Sequence, residues 1–328
     1  MKKVQLGRTG LVVSRLCLGT LTLSKLQMNA TTAEAREIIG AALDLGVNFY
    51  DTAHLYGTYH FIRDIIGKRE AVISSRSYAY DYDQMKEDLE YALKETGREW
   101  IDVFGLHEQE SRLTLIGHRG ALEYLSRAKE QGKVRAICVS THSVEVVREA
   151  ARIPEVDVLH PLVNHAGIGI RDGDTRDMAN AICEASAAGK GIFAMKALAG
   201  GHLLEDAYSA LCFVRDLQGV DAVAVGAGCV HEVEFNAAVL SGDRPSAELA
   251  AKVGSLGRRL HIERWCAGCG ACVKVCGQNA LRVESGQVRL AEDRCVLCGY
   301  CAAACEQFCI KVIACKDDST TGKRCGAQ

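Results

Sequence analysis

Val47-Asn48-Phe49-Tyr50-Asp51-Thr52-Ala53-His54-Leu55-Tyr56-Gly57 passes from apolar, β-forming residues into a cluster of ionisable ones. The run reads as a buried strand that ends in chemistry. A helical pattern precedes it at 32–45 and another follows at 58–67, and the same alternation continues in both directions. Strands are predicted at 15–19, 47–51, 71–76, 101–107, 134–140, 156–163, 191–196 and 222–226. Helical patterns fall at 32–45, 58–67, 82–96, 119–131, 144–153, 175–188, 204–217 and 230–240. Thr31-Thr32-Ala33-Glu34 offers a capping box, and Gly46, Gly97, Gly132 and Gly189 stand where helices end. Eight such units over roughly 220 residues suit an α/β fold, a closed (β/α)8 TIM barrel. No Gly-x-Gly-x-x-Gly follows the first strand, which argues against an open dinucleotide-binding sheet.

Around this core, residues 4–14 read as an N-terminal β-hairpin turning at Gly7-Arg8-Thr9-Gly10, and 241–262 as a further helix leading out of the barrel. A chain of 328 residues suits one large and one small domain, here a barrel over 1–262 and a small α+β domain over 263–315. The polar stretch 316–328 is expected to be a disordered tail. The net charge of −2 gives no reason to expect nucleic acid or an anionic membrane as partner. No stretch reaches ~18 consecutive apolar residues and the first residues carry no signal-like apolar run, so a cytoplasmic protein is expected.

The small domain is defined by its cysteines. Cys266-Ala-Gly-Cys269-Gly-Ala-Cys272-Val-Lys-Val-Cys276 recurs, 29 residues on, as Cys295-Val-Leu-Cys298-Gly-Tyr-Cys301-Ala-Ala-Ala-Cys305. The copies match beyond the cysteines: Glu263 with Glu292, Gly270 with Gly299, Leu281 with Ile310, Val283 with Val312. Eleven of the sixteen cysteines lie beyond position 265, eight of them in metal-ligand spacing, which favours a reducing compartment and a metal over disulfides. Zinc would want two separated pairs, not three closely stepped cysteines twice. A Cys-x-x-Cys-x-x-Cys-x-x-x-Cys run suits a 4Fe–4S cluster whose fourth cysteine serves the other cluster. One cluster is assigned to Cys266, Cys269, Cys272 and Cys305, the second to Cys295, Cys298, Cys301 and Cys276. This region resembles a bacterial-type two-cluster ferredoxin. It departs from that pattern at Gly277 and Glu306, where proline is usual. Cys309 stands opposite Ala280 in the repeat and is read as a core residue; Cys315 and Cys325 have no assigned role.

The first 240 residues resemble an aldo-keto reductase. The hairpin, the Asp51-Thr-Ala-x-x-Tyr56-Gly motif, Arg76 at the end of strand three, His107 at the end of strand four and the Gly226…Asn236 segment follow that family's order. The resemblance implies Tyr56 as proton donor to a carbonyl oxygen, His107 as the residue that orients substrate, and Asp51 as the holder of a cation that tunes Tyr56. The family uses lysine for that cation, and this chain has Arg76. Arginine keeps the charge and could instead grip a substrate carboxylate with two bonds. The nicotinamide site implied by the family would involve Ser140, His160, Lys196, Gly226, Gly228 and Asn236. Without Lys or Arg between Gly226 and Asn236, NAD(H) is expected rather than NADP(H). His54, His60, His142, His160 and His165 lie near strand ends, either as packing residues or as a proton-rich pocket.

Three functions follow as expectations. The first is an iron–sulfur oxidoreductase of aldo-keto reductase type that interconverts a small carbonyl and an alcohol, its clusters exchanging electrons with a redox partner such as ferredoxin. The second is a nicotinamide-independent enzyme fed directly by a ferredoxin. The third is an electron carrier whose barrel catalyses nothing.

Overall fold

The computed structural model describes residues 1–314; residues 315–328, with the expected tail and with Cys315 and Cys325, lie outside the described residues. A hairpin of β1 (Lys3–Gln5) and β2 (Val12–Ser14) comes first. Eight parallel strands follow: β3 (Leu16–Gly19), β4 (Phe49–Asp51), β5 (Val72–Ser77), β6 (Ile101–Gln109), β7 (Val134–Thr141), β8 (Val158–Pro161), β9 (Gly191–Met195) and β10 (Ala222–Gly226). They pair in sequence order, and β10 pairs with β3 to close a barrel. All eight predicted strands are present. Their near-continuous apolar runs reflect burial on both faces, inside by the barrel core and outside by the helices.

The hairpin plugs the N-terminal end of the barrel. Leu6, Leu11 and Val13 join Phe49, Val103 and Phe193 in one buried cluster beneath the strands. Helix Thr32–Asp44 opens on the anticipated capping box, Thr31 accepting from the Glu34 N–H while the Glu34 carboxylate accepts from the Thr31 N–H. The pattern at 58–67 forms no single regular helix. A short turn, Tyr59–Phe61, passes into a π-helical stretch, Ile62–Ile66. No described helix is long and apolar enough to cross a membrane.

The helix expected over 241–262 is only Ala247–Gly254, and β11 (Arg258–Ile262) follows as a strand. It pairs antiparallel with β14 (Ile310–Ala314), while β12 (Leu281–Glu284) pairs with β13 (Gln287–Leu290). The 29-residue offset governs this geometry. Ala271–Lys274 and Tyr300–Ala303 are equivalent short helices, each entered through a left-handed glycine, Gly270 and Gly299. By the same offset Arg258 of β11 corresponds to Gln287 of β13, so the repeat begins earlier than its cysteines. A small core of Leu260, Leu281, Val288, Ile310 and Val312 holds the two halves together.

This C-terminal module sits on the mouth of the barrel, at the C-terminal ends of the strands. The loops after β8 and β9 accept it through glycines. A Cβ on Gly169 would lie 2.7 Å from the Phe308 ring, and one on Gly201 would lie 2.0 Å from the Val312 carbonyl oxygen.

Candidate active site

Asp51 ends β4, and Arg76 lies near the end of β5, so the barrel closure sets them side by side. The Arg76 guanidinium donates Nη1–H to Asp51 Oδ1 at 2.5 Å and Nη2–H to Asp51 Oδ2 at 2.9 Å. Both side chains are buried, with 2% and 4% of their surfaces exposed. The same Nη2 donates to the Tyr56 hydroxyl at 3.1 Å. Tyr56 is carried there by the short turn His54–Tyr56 just beyond β4. Because Asp51 takes both arms of the guanidinium fork, Arg76 has no bidentate face left for a substrate carboxylate, the alternative role open to it from the sequence.

Burial raises the Tyr56 phenol above its ordinary value. Arg76 opposes that by charge and hydrogen bond, Asp51 adds to it, and the net direction is upward. Tyr56 is thus a protonated acid at neutral pH. Burial works against the Arg76 charge, but Asp51 and the Tyr56 oxygen outweigh it and the group stays cationic. His107, on β6, meets Tyr56 edge-on with ring centroids 5.9 Å apart and stacks on Tyr78 at 4.3 Å. Burial, then the charges of Arg76 and its basic neighbours, holds the His107 imidazole well below its ordinary value, so it is neutral. Its Nδ1 is buried without a hydrogen-bond partner.

Tyr56, Arg76, Tyr78 and His107 face a chamber of about 670 Å³, while Asp51 lies behind Arg76. Its barrel wall includes Tyr56, Arg76, Tyr78, His107, Glu108 and Lys196, and its other wall comes from the module, with Glu263, Trp265, Glu306, Gln307, Phe308 and Lys311. Sequence reasoning missed this second wall. One signal was available: Lys311 interrupts the apolar run Ile310–Ile313, and strand alternation places it with Ile313, opposite Ile310 and Val312. Glu108 was also missed; it takes a positive φ of 46° and accepts from the Tyr78 hydroxyl at 2.7 Å.

A second, smaller cavity of about 180 Å³ adjoins the first and shares Tyr56, Arg76, Lys196 and Lys311 with it. His160, Lys196, Gly226 and Asn236 line this groove; Ser140 and Gly228 do not. The Ser140 hydroxyl is engaged by backbone, accepting from Glu108 N–H at 2.7 Å. The Gly228 N–H donates to Glu232 Oε2 at 2.6 Å, and Arg258 Nη1 holds Glu232 Oε1 at 2.7 Å. His160 bonds the Phe193 carbonyl oxygen at 2.5 Å through Nδ1 and stacks on the Phe193 ring. The histidines scatter: His142 lines the chamber and His160 the groove, while His54, His60 and His165 line neither.

The predicted cysteine sets separate in space. Cys276, Cys295, Cys298 and Cys301 line one small cavity inside the module. Cys266, Cys269 and Cys305 all act electrostatically on the Cys272 thiol. The latter set is flanked in sequence by Trp265 and by Glu306, Gln307 and Phe308, which line the chamber. Cys309 Sγ lies 3.3 Å from Cys305 Sγ. The backbone N–H groups of Ala280 and Cys309 point at Cys276 Sγ (3.3 Å) and Cys305 Sγ (3.4 Å), the same contact in both halves of the repeat. Among the described residues no three His, Cys, Asp or Glu side chains converge as a site for a single metal ion.

A closed parallel barrel thus carries a protonated tyrosine, a buried ion pair and a neutral histidine together at its C-terminal mouth, where active sites of this fold lie. The chain belongs to the aldo/keto reductase family, whose model matches residues 15–242. It is similar to the aldo-keto reductase YhdN of Bacillus subtilis, 27% identical over 183 residues that make up 50% of this chain and 54% of that protein. The chain thus spans about half the length of this curated relative. Among solved structures it is similar to an aldo-keto reductase of Pseudomonas aeruginosa, with a TM-score of 0.64 and 26% identity over 73% of this chain and 95% of the other. The holo form of aldo-keto reductase AKR11C1 from Bacillus halodurans shares the fold, with a TM-score of 0.64 and 19% identity over 77% and 95% of the two chains.

The family implies a nicotinamide dinucleotide. Sites for drug-sized ligands run about 300–1,000 Å³, and the groove offers about 180 Å³. Its lining includes Arg258, Lys311, Val312 and Ile313 from β11 and β14. The Glu232 carboxylate, clamped by Arg258, occupies the Gly228 N–H that a phosphate would seek. The groove opens toward the chamber of about 670 Å³, and β11, β14 and the Glu232–Arg258 pair narrow it at the end where a phosphate would lie.

Proposed function

We propose that this chain is an iron–sulfur oxidoreductase that interconverts a small carbonyl compound and its alcohol at the barrel mouth. Electrons would come from a one-electron carrier such as a ferredoxin, through 4Fe–4S clusters held by the C-terminal module. The observation that carries this reading is the shared chamber: the proton-donating Tyr56 and the cysteine module form opposite walls of one cavity.

The donor chemistry supports the clusters. The two sets of four cysteines are those that the doubled spacing assigns, and all eight are free thiols. A four-iron cube spreads its thiolates more widely than one ion does, so the lack of a tight mononuclear site does not count against it. Cys266, Cys269, Cys272 and Cys305 would hold the cluster nearer the chamber, and Cys295, Cys298, Cys301 and Cys276 the farther one. Held by these eight thiolates, two clusters would offer a reservoir of two electrons, the number a carbonyl needs to become an alcohol.

The remaining work falls to side chains. Conversion to the alcohol also takes two protons. Tyr56 gives one to the carbonyl oxygen, helped by the Arg76 guanidinium 3.1 Å from its hydroxyl, which stabilises the phenolate left behind. Solvent returns that proton and supplies the second. Neutral His107, beside Tyr56, orients the carbonyl without adding charge. Trp265 and Phe308 restrict water at the module side.

The test is anaerobic purification followed by iron and sulfide analysis and low-temperature electron paramagnetic resonance. About eight irons per chain are expected. Reduced protein mixed with a panel of aldehydes and ketones should reoxidise with alcohol formed in proportion, and calorimetry should detect no binding of NADH or NADPH. Protein that lacks iron, or that binds NADH at micromolar strength, would refute this reading.

A further inference from the structure

The wall between chamber and groove carries two lysines that the proposed reaction does not use. Lys196 follows β9 in the left-handed region, at φ 62°, and Lys311 lies on β14 with 2% of its surface exposed. Both line both cavities, alongside Tyr56 and Arg76. Both ammonium groups lie against the Phe308 ring, 5.5 and 3.2 Å from its centroid. Among the described residues neither lysine has a salt bridge. Lys311 donates to the Phe308 carbonyl oxygen, and among the described residues no other hydrogen bond engages either nitrogen. Glu108 accepts from the Tyr78 hydroxyl and Glu263 bonds His261 at 3.3 Å, while Glu263 Oε1 has no partner; both carboxylates act on the lysines by charge from beyond salt-bridge distance. Burial withdraws both amines from water and holds them below the ordinary lysine value, Lys311 the further, and no carboxylate lies within salt-bridge distance of either among the described residues. Arg76, the other cation here, is paired with Asp51 and also bonds the Tyr56 hydroxyl.

We propose that Lys196 and Lys311 form an anion subsite and that the substrate is a carbonyl compound bearing a carboxylate. The carbonyl faces Tyr56 and the carboxylate lies between the two ammonium groups. Lys196 comes from the barrel and Lys311 from the module, so binding this substrate ties the two together. The inference rests on the proposed carbonyl chemistry for its orientation, and its test is independent of iron.

Pyruvate and butane-2,3-dione, near-isosteres that differ by the charge, are titrated into the oxidised full-length protein. Calorimetry and Trp265 fluorescence report binding without turnover. Pyruvate is expected to bind at least ~10-fold more tightly than the diketone, and Lys196→Met and Lys311→Met are each expected to collapse that ratio, because each removes one desolvated charge partner. Lys311→Met should melt at or above the wild-type temperature, since it replaces a desolvated amine with an apolar side chain of similar length. Equal affinity for the two ligands, or wild-type pyruvate affinity in both variants, overturns the proposal. A Lys311→Met protein that melts lower and loses both ligands equally makes the lysine structural and overturns it too. Iron-free protein that still prefers pyruvate defeats the iron–sulfur reading and leaves the subsite standing.

Discussion

Asp51→Asn removes the charge partner of a guanidinium that has nowhere else to go. Arg76 is 2% exposed, its Nε is already without a partner, and two of its three side-chain hydrogen bonds among the described residues end on Asp51. Breaking a buried pair from one side costs about 3–5 kcal/mol, whereas replacing both members by apolar groups is often close to neutral. Arg76→Met should therefore cost a similar amount, and Asp51→Asn/Arg76→Met should cost clearly less than the two singles added. At roughly 2.1 cal/mol/K of unfolding entropy per residue, the single-variant loss corresponds to a fall in melting temperature of about 5–8 °C. The assay is a double-mutant cycle by urea denaturation, with thermal melts alongside. Singles within 1 kcal/mol of wild type, or a double variant whose cost is the plain sum, would refute the view that this pair is a coupled, desolvated unit.

Other outcomes follow from the same site. Tyr56→Phe should lower carbonyl reduction by about 10²–10⁴-fold, with a stability loss of about 1–3 kcal/mol from the Arg76 N–H it leaves unpaired; turnover at the wild-type rate would remove Tyr56 from that role. Burial raises the Tyr56 pKa above its usual ~10, so reduction should stay level from neutral pH to about 9 and decline only in stronger alkali. Burial lowers His142 and His160 to about 3. The unfolded chain protonates these rings near ~6.5 and the folded one does not, so stability present above that pH is lost as pH falls toward about 3. The two rings together should steepen the loss by on the order of 2 kcal/mol per pH unit, read from urea midpoints between pH 7 and 5, and a flat profile there would count against neutral buried rings. Opening the groove with Glu232→Ala/Arg258→Ala frees the Gly228 N–H and should give measurable pyrophosphate binding where wild type shows none; calorimetry decides it.

The barrel was legible because its determinants are local. Eight apolar runs alternate with helical patterns, and capping signals such as Thr31…Glu34 mark where helices begin. Asp51, Tyr56, Arg76 and His107 could be picked out together because strand ends in a parallel barrel converge on one face whatever the details of the loops. The 29-residue offset likewise carried over to equivalent strands and short helices, even extending back to β11, where the sequence had suggested a helix. That error arose because Arg258–Ile262 has no partner near it in the chain; it becomes a strand only by pairing with Ile310–Ala314, about fifty residues away.

What the sequence determined by itself was thus the barrel, the order of its reactive residues and the doubled cysteine pattern, all set by short-range periodicity and spacing. Only the tertiary structure decided how these parts meet. It spent both arms of Arg76 on Asp51, turned the Ser140 hydroxyl to backbone, clamped Glu232 with Arg258, and set β11 and β14 against the groove. It also brought Lys311 across to Lys196. Such outcomes depend on which buried group reaches a given hydrogen-bond or charge partner first among residues tens to hundreds of positions apart, and no local pattern encodes that competition.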